Sequence, residues 1–112
     1  MEHLDYDKLQ GEFPTKWAIF SVFKLDQPGG DEEAIANAIP VPGRASFHYN
    51  GESVVMNDAT WKEIMAFFDR VIEQSIREEN LRGWDHIYLE GLARTPKLDR
   101  DNIPAYEIET GS

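Results

Sequence analysis

The sequence contains no cysteine, no long apolar run and few basic residues, and each absence excludes a class of protein. Without cysteine there is no disulfide framework, no thiol nucleophile and no thiolate metal site. No run approaches the roughly 18 apolar residues that a helix needs to cross a bilayer. Residues 1–5 are acidic and lack the basic and then apolar layout of a secretion signal. We therefore expect a cytoplasmic protein without a membrane segment.

The shortage of bases gives the chain a strong negative charge. It has 21 acidic residues against 11 lysines and arginines, a formal net charge of -10. Such a surface repels nucleic acid and anionic membranes, so neither is an expected partner. A negative surface suits a basic protein as the partner. Mimicry of a nucleic-acid backbone belongs to this class of function, because such a mimic also binds basic proteins. The competing explanation is that the negative charge serves only to keep the protein soluble, because the acids are spread along the chain.

The length of the chain is enough for one core. With 112 residues, of which 41% are hydrophobic, we expect a single domain over 1–112. Residues 1–14 are interpreted as a polar N-terminal arm that ends at Phe13-Pro14.

The first clear strand pattern covers residues 16–24. Alternation places Trp17, Ile19 and Phe23 on one face, and a second apolar set on the other: Ala18, Phe20 and Val22. A strand that is apolar on both faces is usually central and covered on both sides. We therefore expect a second cover for this strand, either a ligand or the sheet of a second subunit in a homodimer.

A hairpin follows at residues 44–56, marked by Asn50-Gly51, a pair that tolerates the positive φ angles of a type I′ turn. This turn sets Tyr49 opposite Glu52 and Phe47 opposite Val54. One face then carries the apolar residues, and the other carries Ser46, His48, Ser53 and Val55.

Two helices are predicted, one short and one long. Asp31 can cap a short helix whose inner stripe would be Ile35, Ala38 and Ile39. Thr60 and Glu63 match a capping box, and the residues after them show helical spacing to about residue 79.

Two further strands are predicted at 86–92 and 105–109, with a polar loop at 94–101 between them. The element order predicts an α+β fold: an antiparallel sheet in the ferredoxin-like β-α-β-β-α-β order, plus a C-terminal strand. A curved antiparallel sheet wrapped around the single long helix is the alternative.

The candidate ligand-binding residues come from the segment GWDHIYLEG, residues 83–91. Alternation puts His86, Tyr88 and Glu90 on one face of a strand, and His48 can join them if the hairpin aligns with this strand. The competing interpretation is an ordinary solvated face. No glycine-framed serine, phosphate loop or local pair of metal ligands is present, so no catalytic residue can be named and binding is favoured over catalysis, and we expect no metal and no cofactor.

Aromatic and apolar residues suggest an interface, although core packing is the competing explanation. The candidates are Trp17, Ile19, Phe23, Phe67 and Trp84.

Two hypotheses for the function remain. The first is a small acidic protein, of the accessory or mobile-element kind, that binds another, basic, protein as an inhibitor, immunity or accessory regulatory factor. The second is a small-molecule binder, or an enzyme without a cofactor, with its pocket on the sheet face or between subunits.

Overall fold

The computed structural model describes residues 6–22, 32–79, 87–99 and 102–111. Over these residues the chain forms three helices and five strands, in the order α1 (Tyr6–Gly11), β1 (Ile19–Phe20), α2 (Glu32–Ala36), β2 (Arg44–Tyr49), β3 (Glu52–Asn57), α3 (Trp61–Glu79), β4 (Tyr88–Asp99) and β5 (Ile103–Gly111). The predicted α+β class with one long helix is confirmed.

The hairpin of β2 and β3 forms in the predicted register. Tyr49 lies opposite Glu52 and Phe47 opposite Val54. Asn50 and Gly51 both have positive φ, 50° and 82°, as a type I′ turn requires. The Asn50 side chain also donates a hydrogen bond from Nδ2 to Ser75 Oγ at 2.9 Å, which fastens the turn to α3.

The long helix α3 begins with the predicted capping box. The Glu63 amide donates to Thr60 Oγ1 at 3.2 Å, and the Thr60 amide donates to Glu63 Oε1 at 3.1 Å. The apolar residues that follow at helical spacing are buried along the helix as far as Ile72, and Ile76 is half-buried: Trp61, Ile64, Met65, Phe68, Val71 and Ile72. Its apolar face packs on the sheet, where Phe68 meets the edge of the Tyr49 ring at 4.8 Å between ring centroids.

The predicted sheet order is wrong in two respects. The strands lie in the order β1-β4-β5-β2-β3, which is not the ferredoxin-like order. The sheet is also mixed rather than antiparallel, because β1 runs parallel to β4 and β2 runs parallel to β5. The C-terminal strand, predicted as an addition, is the central one. Only the curled shape of the sheet agrees with the alternative prediction.

The strand predicted at 16–24 is much shorter than expected and does not lie in the centre. Within the described residues only Ile19 and Phe20 form a strand, at one edge of the sheet. The residues before it are drawn to α3 instead. Asp69 Oδ1 accepts hydrogen bonds from the amides of Lys16, Trp17 and Ala18, at 3.0, 2.6 and 2.8 Å. Those amides are therefore not available to a strand ladder.

The polar loop predicted at 94–101 is wrong as far as residue 99, because β4 continues through it. Arg94 pairs with Tyr106, and pairing with β5 resumes at Leu98 after a register shift. The Arg94 guanidinium lies over the Tyr106 ring at 5.6 Å from its centroid. Cross-strand pairing and this cation–π contact outweigh the loop preference of the polar residues.

The two short helices complete the layer on the α3 side of the sheet. Leu9 and Phe13, from the predicted polar arm, are buried there, and Phe13 stacks on Phe20. In α2 the buried residues are Glu32, Ile35 and Ala36. The predicted inner position of Ile39 is wrong, since the helix ends at Ala36 and Ile39 is exposed.

Candidate functional site

The side of the sheet turned away from α3 is called here the outer face. Phe47 stacks on Tyr106 on the α3 side, so the alternate residues of each strand point the other way. Over the described strands the outer face therefore carries Ile19, Arg44, Ser46, His48, Ser53, Val55, Asn57, Tyr88, Ala93, Ile103, Ala105, Glu107 and Glu109. It is the polar face of the hairpin, as its alternation predicts.

Of the predicted ligand-binding residues, His48 and Tyr88 share this face but lie at different ends of it. Tyr88 is paired with Gly111, whereas His48 is paired with Glu107. These two positions on β5 are about 13 Å apart along the strand. His86 lies outside the described residues, so its predicted role stays a prediction.

Glu90 lies in an irregularity of β4, where the register shifts between Leu89 and Gly91. Its carboxylate occupies the space over Gly111 that a Cβ atom would fill. Nearby, a Cβ atom at Gly91 would lie only 3.0 Å from Oε1 of Glu109. Two glycines therefore let two glutamate side chains lie flat on the outer face, next to Tyr88.

His48 is surrounded by residues that the sequence pattern only partly indicated. Its Nε2 lies 3.0 Å from Ser46 Oγ, and Ser53 and Glu107 are its neighbours on the adjacent strands. A serine, a histidine and a glutamate in one row suggest a hydrolytic site. However, Ser46 is 0% exposed, so its hydroxyl is not accessible to a substrate. The Ser46–His48 pair therefore holds the imidazole in place and does not form a nucleophile.

An open groove of about 660 Å³ runs beside His48, between the hairpin turn and the irregular part of β4. Its walls come from three parts of the chain, and its lining residues are His48, Tyr49, Asn50, Gly51, Glu52, Thr95, Pro96, Ala105, Glu107 and Ile108. Two of them are carboxylates, and none is a lysine or an arginine. His48, Ala105 and Glu107 belong to the outer face, whereas Tyr49, Glu52 and Ile108 alternate to the α3 side, so the groove opens beside the outer face at the end of β2.

Sequence reasoning missed three of these lining residues: Glu52, Thr95 and Glu107. Glu107 belongs to a strand that was predicted, but placing it beside His48 requires the parallel pairing of β2 with β5. Thr95 was assigned to a loop. The sequence signal available for Glu107 was its alternation with Glu109. This pattern indicates a solvated strand face but does not show which strand lies beside it.

The predicted interface residues are spread over the molecule. Trp17 is 37% exposed and Ile19 is half-buried, both at the β1 edge. Phe67 is 5% exposed and packs in the core, with Arg70 over its ring, which leaves little of it for a partner. Phe23 and Trp84 lie outside the described residues.

Two other observations concern metals and membranes. Within the described ranges, no group of three or more histidine, aspartate or glutamate side chains is arranged to hold a metal ion. Among the same residues, no helix combines the length and the apolar character that a membrane span needs.

Comparisons with protein-family models, with curated proteins and with solved structures found no match. The function has therefore to be inferred from the geometry and charge of the outer face.

Proposed function

We propose that this chain is a protein-binding module that accepts a basic segment of another protein in the groove beside the outer face. The observation that carries the proposal is the lining of the groove. Glu52 and Glu107 are among its lining residues, and none of the lining residues that the structure describes is a lysine or an arginine. A lysine or arginine side chain of a partner would supply the missing positive charge.

The distribution of charge over the described residues supports this choice of surface. Glu90 and Glu109 extend the acidic character from the groove along the outer face. Among the strand residues whose side chains the structure describes, Arg44 is the base on this face, and it lies at the end of β2 away from the groove. An approaching basic partner is therefore steered toward the groove end of the sheet.

Several bases on the opposite side are already engaged within the chain. Lys16 and Arg77 both contact Glu73, at 3.4 and 3.0 Å, and Lys8 lies 3.8 Å from Glu32. Acids and bases of the helix layer are thus paired with each other, whereas the outer-face acids Glu107 and Glu109 lie apart from Arg44. This difference in arrangement favours recognition by the sheet over a general acidity that serves only solubility.

His48 gives the groove a fixed polar wall. Its imidazole is held by Ser46, which is fully buried, so the ring does not have to be ordered when a ligand arrives. An inhibitor, an immunity factor or an accessory regulator that recognises a basic protein would use such a surface.

A small cationic ligand is the second candidate. The groove volume of about 660 Å³ lies within the usual range for small-molecule pockets. The groove is open, however, and polar side chains form much of its wall, which suits a segment of a larger partner better. An enzymatic role has less support, because Ser46, the serine whose hydroxyl contacts His48, is buried.

Binding of a fluorescently labelled hexa-arginine peptide tests the proposal by anisotropy. The variant Glu52→Gln/Glu107→Gln removes the two groove carboxylates. Glu33→Gln/Glu78→Gln removes two exposed carboxylates from the helix layer and has the same net charge. We expect the groove variant to weaken binding by about 10-fold or more, and the control by about 2-fold or less.

Equal losses in the two variants would mean that only overall charge matters, and would contradict the proposal. If free arginine displaces the labelled peptide as well as unlabelled peptide does at the same molar concentration, the small cationic ligand replaces the basic segment as the proposed ligand.

A further inference from the structure

The strand β3 forms one edge of the sheet, and its outward backbone groups can be identified from the hairpin register. Because Tyr49 and Glu52 flank a two-residue turn, they form a hydrogen-bonded pair, and so do Phe47 with Val54 and Ala45 with Met56. The amides and carbonyls of the alternate residues Ser53, Val55 and Asn57 therefore point away from β2. In the described part of the chain, no strand lies beyond them.

This edge lacks the features by which proteins usually prevent strand pairing. Residues 52–57 contain no proline and no lysine, and the register with β2 is uninterrupted, so no bulge turns the edge away. The single charge is Glu52, at the first position. Val55 is 44% exposed, and Val54 and Met56 are only half-buried although they face the α3 side.

The edge is also self-complementary. If a second β3 approaches antiparallel about a two-fold axis at Val55, Val55 lies opposite its own copy and Ser53 lies opposite Asn57. On the α3 side Val54 then lies opposite Met56, so apolar residues meet apolar residues. The three outward residue pairs provide about six hydrogen bonds between the chains, two for each pair.

The ends of the strand limit the pairing to this register. Asp58 follows β3 with a positive φ of 48°, and its Oδ1 accepts a hydrogen bond from the Gly43 amide at 2.6 Å. The chain therefore leaves the strand direction at Asp58. In this register Glu52 of one copy would be opposite Asp58 of the other, but the turn takes the Asp58 carboxylate out of line with Glu52.

We infer that β3 is a self-association edge, at which two copies of this chain join their sheets into one continuous antiparallel pairing. The occupant is a second copy because the two-fold arrangement matches both the hydrogen-bonding groups and the side chains of one six-residue strand with itself. This inference does not depend on the proposed binding of a basic partner.

The salt dependence separates the two ideas. Two copies with a formal charge of -10 repel each other, so screening by salt strengthens their association. Binding of a basic segment to the acidic groove weakens with salt instead. A change in ionic strength therefore moves the two equilibria in opposite directions.

Sedimentation velocity on the full chain tests the inference. We expect a dimer at about 100 μM that dissociates on dilution and is favoured by added salt. Val55→Pro removes an outward amide, and Val55→Lys places two ammonium groups across the two-fold axis, so both should be monomeric. Val55→Thr keeps the amide and the branched side chain, and should remain dimeric.

Two results would overturn the inference. One is a wild-type chain that stays monomeric at every concentration, which would leave the edge to an extended segment of a different protein. The other is a dimer that persists in both Val55→Pro and Val55→Lys, which would place the interface elsewhere. Val55→Lys retains the whole backbone, so the test does not depend on Val55→Pro folding.

Discussion

The two edge strands of the sheet, β1 and β3, differ in how their outward backbone groups are satisfied. In β1 the outward residue is Phe20, because Ile19 and Ser21 donate their amides to β4. The Gln10 side chain takes the place of a neighbouring strand: its Oε1 accepts from the Phe20 amide at 3.1 Å, and its Nε2 donates to the Phe20 carbonyl at 2.6 Å. The β3 edge has no such cover among the described residues.

This difference indicates that an edge can be closed by a single side chain when the strand is short. Gln10 is carried by α1, which is itself anchored through Leu9 in the core, so one amide is enough for the one outward residue of β1. Three outward residues on β3 exceed what a single side chain can cover. Among the described residues, one edge is therefore closed by a side chain and the other has no cover.

The largest expected change in the free energy of unfolding comes from replacing Asp69, whose carboxylate holds the segment that leads into β1. Asp69→Ala should lower the free energy of unfolding by about 2 kcal/mol, because three backbone amides lose a charged acceptor. Asp69→Asn, which keeps an acceptor oxygen, should lose about half as much. Urea unfolding followed by tryptophan fluorescence measures both.

The control for Asp69 is Glu73→Ala, one turn later on α3. Glu73 contacts Lys16 and Arg77 in exposed ion pairs, so its loss should cost about 0.5 kcal/mol or less. If both alanine variants lose the same stability, the account of this anchor is wrong.

A smaller effect is expected at the closed edge itself. Gln10→Ala should cost about 1.5 kcal/mol, since Phe20 loses two hydrogen bonds at a partly buried position. Gln74→Ala, which removes an exposed contact with Glu78 on α3, should change stability by about 0.5 kcal/mol at most. A neutral Gln10→Ala in the same unfolding assay would show that the amide does not close this edge.

On the side of β3, the turn at Asn50-Gly51 provides the next prediction. Gly51→Ala should cost about 1 kcal/mol, because Gly51 has a φ of 82° that other residues adopt with strain. Gly11→Ala in α1 is the matched control, since a Cβ atom also meets nothing within 4 Å there and φ is not positive. Thermal unfolding of the pair should show a lower Tm only for Gly51→Ala.

The smallest effect is expected at Val55. At concentrations where the chain is monomeric, Val55→Thr should change the free energy of unfolding by less than about 0.5 kcal/mol, because the side chain lies on the exposed outer face. Denaturant titration at low protein concentration checks this. A large loss would mean that Val55 packs against the chain's own residues, and the edge would not be open.

The parts of the fold that were predicted correctly depend on residues close together in the sequence. The hairpin register follows from Asn50-Gly51, and the start of α3 follows from Thr60 and Glu63. The strand order could not be obtained in this way, because the parallel pairing of β2 with β5 joins residues that are far apart in the chain. For the same reason His48 was found as a candidate while its neighbour Glu107 was not.

Two of the errors have a common physical cause. Residues 16–18 have the composition of a strand, yet their amides bind Asp69, and residues 94–99 have the composition of a loop, yet they pair with β5. In both segments a tertiary partner overrides the local preference. The second of these segments lines the candidate groove through Thr95 and Pro96, so that part of its lining could not be predicted from the local sequence.

Amide hydrogen exchange, measured by NMR at Phe20 and Val55, tests the difference between the two edges most directly. The account predicts that the Phe20 amide is protected at every protein concentration, since Gln10 accepts its hydrogen bond. The Val55 amide should exchange nearly as fast as in an unfolded chain at low concentration, and slow down as the concentration rises. A Val55 amide that is equally protected at all concentrations, or an unprotected Phe20 amide, would contradict it.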